Sequence, residues 1–395
     1  MSGRKELFTP IEPGVVRMYV CGITPYDVGH LGHALTFVTF DTVRRYLEFL
    51  SYDVRHVQNI TDIDDDMVRK ARELGITIPE LTDRNHTIYL QEMDALNVQR
   101  PVAFPRVSQH IPEIIALVEE LMARGHAYVV DGYVFFDAKT APRFGALNGL
   151  TIEQLRTSPP VSDSVPAEPQ QLKRDPLDFL LWQPSTEPDA HWDSPWSVGR
   201  PGWHIECSAM ARANLGARMD IHGGGKDLRY PHHESEIVQS ECASGEAPYV
   251  GTWIHVGTLM LEGVKMSKSL GNLVKVSELL AAGHSPDAVR MSLLATHYRA
   301  DHDWTEDELQ HWEQRAALLR EAAGSAGGPP DRLRVESRRL QFMDAMDDDF
   351  DTPKAVDILC TIAEDIVSGR LYGETAVPTL IELAGVLGLR LGREG

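Results

Sequence analysis

Two cysteines, one histidine and one glutamate of this chain have side chains of the types that bind soft divalent metal ions. Cys21 ends an apolar stretch, Cys207 lies far along the chain, and His232 and Glu236 are four residues apart. Residues with that spacing face the same direction on a helix. Two thiolates, an imidazole and a carboxylate suit zinc. The long separation of the cysteines leaves the alternative that both are small buried apolar residues.

A second group of residues has the types that bind phosphate and nucleotide. His30, Gly32 and His33 stand where a helix is predicted to begin. A helix N-terminus offers unpaired backbone N–H groups and a partial positive charge to an anion, and the glycine allows a flat base to approach the backbone. The alternative is a pair of surface histidines that cap the helix, since so short a motif has many chance matches.

Two lysines form a third candidate group. Lys265 and Lys268 belong to the run Lys-Met-Ser-Lys-Ser, which Leu-Gly-Asn follows. Small hydroxyl residues and a glycine predict a flexible cationic loop, which can close on a triphosphate and offset charge that develops during adenylyl transfer. The alternative is a solvated basic turn. Because the histidine and lysine motifs flank one α/β domain, nucleotide chemistry is the favoured interpretation.

The residues around these motifs predict a parallel sheet that positions them. Residues 15–20 are rich in β-branched side chains and follow Pro-Gly, which favours a strand that ends at Cys21. Apolar residues then recur at helical spacing over residues 37–50, and a second strand is predicted at residues 54–60. This βαβ crossover places functional residues at the carboxyl ends of its strands.

Further along the chain, the sequence predicts an insertion and then mostly helices. Residues 111–123 have helical periodicity, and Asp131-Gly132 is a turn signal between two β-rich segments, which predicts a hairpin. The acidic run at residues 62–66 resembles a magnesium site, but its residue types favour a helix start. The expected divisions are a Rossmann-like catalytic domain over residues 1–260 with a connective insertion at about 126–200, a stem region with the lysine loop over residues 261–330, and a small helical module over residues 331–395.

Composition limits the class of protein. The chain has 395 residues, of which 43% are hydrophobic and 24% charged, as in an ordinary globular protein. A net charge of −20 argues against non-specific binding of nucleic acid through a broad basic surface, although it allows a local basic groove. The four scattered cysteines do not predict a disulfide framework. Without a long apolar stretch or a signal peptide, a cytoplasmic protein with no membrane contact is expected.

Taken in their order, these motifs resemble those of a known enzyme class. The chain resembles the class I aminoacyl-tRNA synthetases, whose two signatures match His30-Leu31-Gly32-His33 and Lys265-Met266-Ser267-Lys268-Ser269. Within that class it is similar to the cysteine-activating branch, through residues 18–22, 58–62, 199–207, 220–225 and 231–236. The resemblance implies a Rossmann-like class I catalytic domain with a connective insertion, followed by a mainly helical C-terminal region.

The resemblance also implies a reaction and the residues of its site. One zinc ion per chain would bind the thiolate of the substrate cysteine and would be held by Cys21, Cys207, His232 and Glu236. A soft metal prefers thiolate to hydroxyl, so serine is rejected without an editing domain. ATP, accompanied by Mg²⁺, would react with cysteine to give cysteinyl-adenylate and pyrophosphate, with His30, His33 and Lys268 as catalytic residues. The residues implied for the ATP and adenylate pocket are Gly22, Ile23, Thr24, His30, Gly32, His33, Thr36, Asn59, Ile60, Thr61, Trp203, Gly225, Lys226, Asp227, Lys265 and Lys268.

The acceptor of the activated cysteine stays open between two members of the branch. Glu236 and the arginines of residues 332–339 favour transfer to tRNA(Cys), which is the prediction, although those arginines also fit a solvated helix face. The turn at residues 22–27, and a chain end at Gly395 without the typical anticodon-binding region, favour a ligase that transfers cysteine to the amine of glucosaminyl-inositol in mycothiol biosynthesis. An inactive homologue that acts as a binding protein is a third alternative, which the intact motifs disfavour.

Overall fold

The computed structural model describes residues 4–27, 29–157, 169–186, 189–266, 270–326, 331–371 and 373–391. The chain folds into two compact units, each built from three separate stretches of sequence. The first unit comprises Met1–Asp27, Val54–His86 and Pro101–His255, and the second comprises Val28–Asp53, Thr87–Arg100 and Val256–Gly395. Because the units alternate along the chain, they do not coincide with a single cut near residue 260, and the divisions expected from the sequence remain predictions.

The strands and helices follow in chain order. The strands are β1 (Val15–Ile23), β2 (Asp53–Ile60), β3 (Ala127–Val130), β4 (Tyr133–Phe136), β5 (Phe179–Pro184), β6 (Gly199–Pro201), β7 (Met219–Gly225), β8 (Val250–Val256), β9 (Leu259–Leu261), β10 (Val264–Lys265) and β11 (His302–Trp304). The helices are α1 (Leu31–Phe49), α2 (Asp65–Leu74), α3 (Ile78–Ala95), α4 (Ile111–Ala123), α5 (Ile152–Leu155), α6 (Ile205–Leu215), α7 (His232–Ser244), α8 (Val276–Ala281), α9 (Pro286–Leu294), α10 (Glu306–Ala323), α11 (Arg332–Asp347), α12 (Thr352–Val367) and α13 (Gly373–Val386). Within the described residues, no helix is long and apolar enough to span a membrane.

The central sheet of the first unit has the strand order β2-β1-β7-β8. Strand β1 pairs with β7 in parallel, with Tyr19 opposite His222. The side chains of β1 from Met18 to Cys21 are all buried, as expected for a sheet that is covered on both faces. Helices α4, α6 and α7 pack together beside this sheet, and α6 lies against β1. The predicted strand–helix–strand order and the parallel Rossmann-like sheet are confirmed.

The strands between residues 127 and 201 form a separate antiparallel sheet in the order β3-β4-β5-β6. Strands β3 and β4 form the predicted hairpin, with Val130 opposite Tyr133. The two turn residues, Asp131 and Gly132, have φ angles of 50° and 84°. Positive φ at both positions is the requirement of the two-residue turn that suits the twist of a hairpin, and Asp-Gly meets it.

The second unit is mainly helical, with a small sheet in the order β10-β9-β11. Helices α9, α10, α11, α12 and α13 pack against one another. Arg290 and Asp41 form an ion pair in which both side chains are 1% exposed. Arg290 also donates to the backbone oxygens of Leu96 and Leu387, so this single side chain connects three segments of the unit.

Candidate active site

Four side chains of the first unit converge where β1 ends. Cys21 lies on β1, Cys207 in the first turn of α6, and His232 and Glu236 one turn apart on α7. All four are buried, and their ligand atoms lie within 4.8 Å of one another. Cys21 Sγ is 3.4 Å from His232 Nε2, which is 3.0 Å from Glu236 Oε1. The structure therefore brings together the whole set of metal ligands that the sequence predicts.

A second, overlapping set of possible ligands shares two of these side chains. Cys21 and Glu236 also lie within 4.8 Å of His222 and His233. Glu236 Oε2 is 2.9 Å from His222 Nε2, and Cys21 Sγ is 3.4 Å from His233 Nε2. Sequence reasoning did not single out these two histidines, although both stand in stretches that match the family. The set with Cys207 has two thiolates and therefore suits a soft ion better.

Hydrogen bonds behind the histidines orient their rings. His204 Nδ1 lies 2.9 Å from His232 Nδ1, which leaves Nε2 of His232 to face Cys21 and Glu236. His233 Nδ1 is bonded in the same way to His255 Nε2 at 2.8 Å. Metal-binding histidines typically engage their second ring nitrogen in such a bond, which fixes the ring and its tautomer. Each candidate set thus has its own supporting histidine.

The charges of the four converging side chains are balanced by one another. A hydrogen bond from Cys21, aided by the charge of His232, lowers the pKa of Cys207 to about 6. Burial and the neighbouring Cys207 raise the pKa of Cys21 well above its usual range. The Glu236 carboxylate and Cys207 raise the pKa of His232 to about 10, although burial opposes this rise. His222 and His232 lower the pKa of Glu236 to about 2, again against the effect of burial. The sulfurs, the imidazole nitrogen and the carboxylate oxygens are donors of the types that zinc binds, and zinc would bind the imidazole in its neutral form.

Residues predicted for the nucleotide pocket lie at the carboxyl ends of β1 and β2 in the first unit. Gly22 N donates to Asn59 Oδ1 at 2.9 Å, and Asn59 Nδ2 donates to Thr61 Oγ1 at 3.1 Å. Thr61 N donates to Ile23 O at 3.0 Å. A Cβ on Gly22 would lie 1.8 Å from the backbone oxygen of Asn59, so only glycine allows this approach of the strands. Thr24 and Ile60 adjoin these residues in the chain.

Three further pocket residues lie where β7 ends. Gly225 is the last residue of β7, and Lys226 and Asp227 begin the short 3-10 helix that follows. A Cβ on Gly225 would lie 2.4 Å from Asp227 Oδ1, so the glycine leaves room for that carboxylate. Trp203 is half-buried, and its ring stacks on the His232 ring with centroids 4.5 Å apart. Trp203 therefore connects the pocket residues to the candidate metal ligands.

The histidine motif lies in the second unit and caps α1. His30 is the N-cap residue, and its Nδ1 accepts from Gly32 N at 3.1 Å. His33 Nδ1 accepts from His30 N at 3.4 Å, and the two rings are 4.0 Å apart. Thr36 donates to the backbone oxygen of Gly32 at 3.4 Å. Helix capping, the alternative interpretation of this motif, is thus present in the structure together with the helix N-terminus that suits a phosphate.

The lysine motif is described only in part. Lys265 is exposed at the end of β10, and its backbone oxygen accepts from Asn272 Nδ2 at 3.2 Å. Lys268, predicted as a catalytic residue, lies outside the described residues. Its role therefore stays a prediction from the sequence.

Two charged clusters had more than one interpretation in the sequence, and the structure shows the partners of their side chains. Asp64 is the N-cap residue of α2 and accepts from Asp66 N at 2.7 Å, which confirms the helix start predicted for the acidic run. In the arginine patch of α11, Arg334 and Arg338 lie 3.2 and 3.7 Å from the carboxylate of Asp365. This pairing reduces the positive charge that the patch can offer to tRNA.

Fold and site together define the catalytic domain of a class I aminoacyl-tRNA synthetase. Residues 7–314 match the family model described as tRNA synthetases class I (C) catalytic domain, and the chain belongs to this family. It is 46% identical to the cysteine--tRNA ligase of Pectobacterium carotovorum over 98% of this chain and 84% of that protein. The cysteine--tRNA ligase of Halorhodospira halophila is likewise 46% identical, with the same coverage of both chains.

A solved structure gives independent support for the fold. The chain is similar to Mycobacterium tuberculosis methionyl-tRNA synthetase in complex with methionyl-adenylate, with a TM-score of 0.67. The similarity covers 94% of this chain and 90% of that chain at 16% sequence identity, so it concerns the fold alone. The predicted family and fold class are confirmed, whereas the relatives named here give no support to an amino-sugar ligase.

Proposed function

We propose that this chain is a cysteine--tRNA ligase, which activates L-cysteine with ATP and transfers the cysteinyl group to tRNA(Cys). The observation that carries the proposal is the convergence of two cysteine sulfurs, an imidazole nitrogen and a carboxylate oxygen within 4.8 Å. Relatives at 46% identity that are named cysteine--tRNA ligases support it. A tRNA substrate also agrees with the cytoplasmic location expected from the sequence.

Recognition of the substrate thiol is the task of the candidate metal centre. Cys21, Cys207, His232 and Glu236 would hold one zinc ion, which when bound supplies selective affinity for thiolate sulfur. His204 keeps the His232 ring in place through the bond between their Nδ1 atoms. The burial of all four ligands excludes water and strengthens their electrostatic interactions. Serine, whose hydroxyl is a harder donor, would be rejected at this step.

Activation of cysteine needs no protein nucleophile. The cysteine carboxylate oxygen forms a bond to the α-phosphorus of ATP, and the bond to pyrophosphate breaks. Catalysis then depends on positioning and on stabilising the developing charge. His30 and His33 at the start of α1, together with Lys268, would contact the nucleotide and its phosphates, and Mg²⁺ would accompany ATP. The residues that end β1, β2 and β7 would bind the adenylate in the first unit.

Transfer completes the reaction. A ribose hydroxyl at the 3′ end of tRNA attacks the cysteinyl carbonyl carbon, and an ester bond forms as the hydroxyl loses its proton. AMP leaves with the electron pair of the broken acyl–phosphate bond. Because Arg334 and Arg338 are paired with Asp365, we expect few phosphate contacts from α11. The affinity for tRNA should then depend only weakly on salt concentration.

A two-acceptor assay tests the proposed function. The purified protein receives radiolabelled cysteine and ATP with either tRNA(Cys) or glucosaminyl-inositol, and cysteine-dependent ATP–pyrophosphate exchange is measured in parallel. The proposal expects exchange with cysteine, none with serine, and label on tRNA alone. Label on the amino sugar and never on tRNA would overturn the acceptor but keep the adenylation chemistry. A protein that contains zinc and shows no exchange would instead be an inactive homologue.

A further inference from the structure

A buried carboxylate in the second unit has no role in the mechanism above. Glu92 lies near the end of α3 and is 5% exposed. Its Oε1 accepts from the hydroxyl of Ser277 at 2.9 Å and from the backbone N–H of Ser277 at 3.3 Å. Ser277 lies in the first turn of α8, whose N-cap residue is Lys275. Since a lysine side chain has no acceptor, Glu92 supplies from another helix the cap that Lys275 cannot provide.

The other oxygen of this carboxylate lies beside the histidine motif. A Cβ built on Gly29, the residue before His30, would be 3.3 Å from Glu92 Oε2. A backbone hydrogen bond joins the two segments, because Leu31 N donates to Val274 O at 2.7 Å. The start of α1 and residues 274–277 are therefore joined by a backbone hydrogen bond, and the Glu92 carboxylate lies close to both segments.

The carboxylate of Glu92 is held in place by burial and by its hydrogen bonds. Burial raises the pKa of Glu92, because the surroundings disfavour its charged form. Its two hydrogen-bond donors both belong to Ser277, and these bonds, together with the positive charge of Lys275, lower the pKa and so oppose the effect of burial. Because the carboxylate is both buried and hydrogen-bonded, its position is fixed between α3, the start of α8 and the residue before His30.

We propose that Glu92 is a positioning residue for adenylation. It holds the first turn of α1, with His30 and His33, in fixed register with residues 274–277, which follow the lysine motif in the chain. Displacing a reacting group by about 1 Å can lower a rate about 10²-fold, so a tie between these two segments acts on the rate and not on substrate affinity. The inference rests on the proposed function, since it requires an adenylation step.

Substitutions at Glu92 test the inference in the full-length chain. Glu92→Ala removes the hydrogen bonds to Ser277 and the carboxylate beside Gly29, and Glu92→Gln keeps an oxygen that can accept from Ser277. Gln91→Ala, at an exposed position on the same helix, is the matched control. Cysteine-dependent ATP–pyrophosphate exchange is measured, and rates are divided by the active-site concentration from an adenylate burst. Glu92→Ala should lower kcat by about 10- to 100-fold with little change in the KM for cysteine. Glu92→Gln should recover most of the rate, and Gln91→Ala should equal the wild type.

Several outcomes would overturn the inference. The first is an unchanged kcat per active site in Glu92→Ala. The second is a variant that loses only active-site concentration or melting temperature, because that result marks a merely structural role. If Glu92→Ala does not fold, Ser277→Ala replaces it as the test, because this change removes only the hydroxyl donor at an exposed position. Ser277→Ala should lower kcat by a smaller factor at constant KM. An unchanged kcat in Ser277→Ala overturns the inference. A wild-type protein without exchange overturns the proposed function and this inference together, whereas the other outcomes affect the inference alone.

Discussion

The two candidate ligand sets can be distinguished through the histidines behind them. His204 bonds to His232, which belongs only to the set with Cys207. His255 bonds to His233, which belongs only to the alternative set. Replacing His204 by Phe removes the bond to His232 and keeps an aromatic ring beside Trp203. In the wild-type structure the centroids of the His204 and Trp203 rings are 4.7 Å apart. His255→Phe is the matched control, since it makes the same chemical change at the other set.

The size of the expected effect follows from the geometry at His204. Its side chain is 2% exposed, and burial and the nearby His232 lower its pKa well below the usual range, so the ring is neutral and can accept the proton of His232 Nδ1. Loss of a hydrogen bond of this kind typically weakens metal affinity by about 10- to 100-fold. That range corresponds to about 1.4–2.7 kcal/mol of binding free energy.

Competition with a chromophoric chelator measures the zinc dissociation constant of each variant. His204→Phe should raise it by the factor given above, while His255→Phe should leave it near the wild-type value. Absorption of the Co²⁺-substituted protein should retain the intensity that two thiolate ligands produce. The reverse order, with His255→Phe the weaker binder, would assign the metal to His222 and His233. Unchanged affinity in both variants would refute the reasoning from supporting histidines.

Four further substitutions, one of them a control, test the site and the fold. Cys207→Ser should raise the KM for cysteine much more than the KM for ATP, because it replaces a soft donor; equal changes in the exchange assay would contradict this. Lys268→Ala should lower kcat by about 10²–10³-fold, because one contact to developing charge is lost; unchanged exchange would make the loop merely structural. Arg290→Met should lower the free energy of unfolding by about 3 kcal/mol, because it breaks a buried ion pair. This value is at the lower end of the range for such pairs, since Arg45 still binds Asp41. Urea unfolding measures this, and Arg100→Met, which breaks an exposed pair, should cost less than about 1 kcal/mol.

Features that depend on neighbouring residues could be read from the sequence. The β-branched run after Pro-Gly predicted β1, and Asp131-Gly132 predicted the hairpin, since only residues that accept positive φ allow such a turn. The helical spacing of His232 and Glu236 placed their side chains together, and the structure has them 3.0 Å apart. The types of the metal ligands and the family motifs were likewise visible along the chain, because they depend on residue identity alone.

Long-range features were decided only by the tertiary structure. Cys21 meets His232 across a separation of 211 residues, because β7 lies beside β1 in the sheet and α6 and α7 pack beside it. The same packing brings in His222 and His233 as a second possible ligand set, of which the sequence indicates only the helical spacing of His233 and Glu236. Local propensity determines which residues form a strand or a helix, but which strands become neighbours depends on burial of apolar surface over the whole unit. For that reason the ligand types of this protein could be predicted from its sequence, while the histidines that orient them could not.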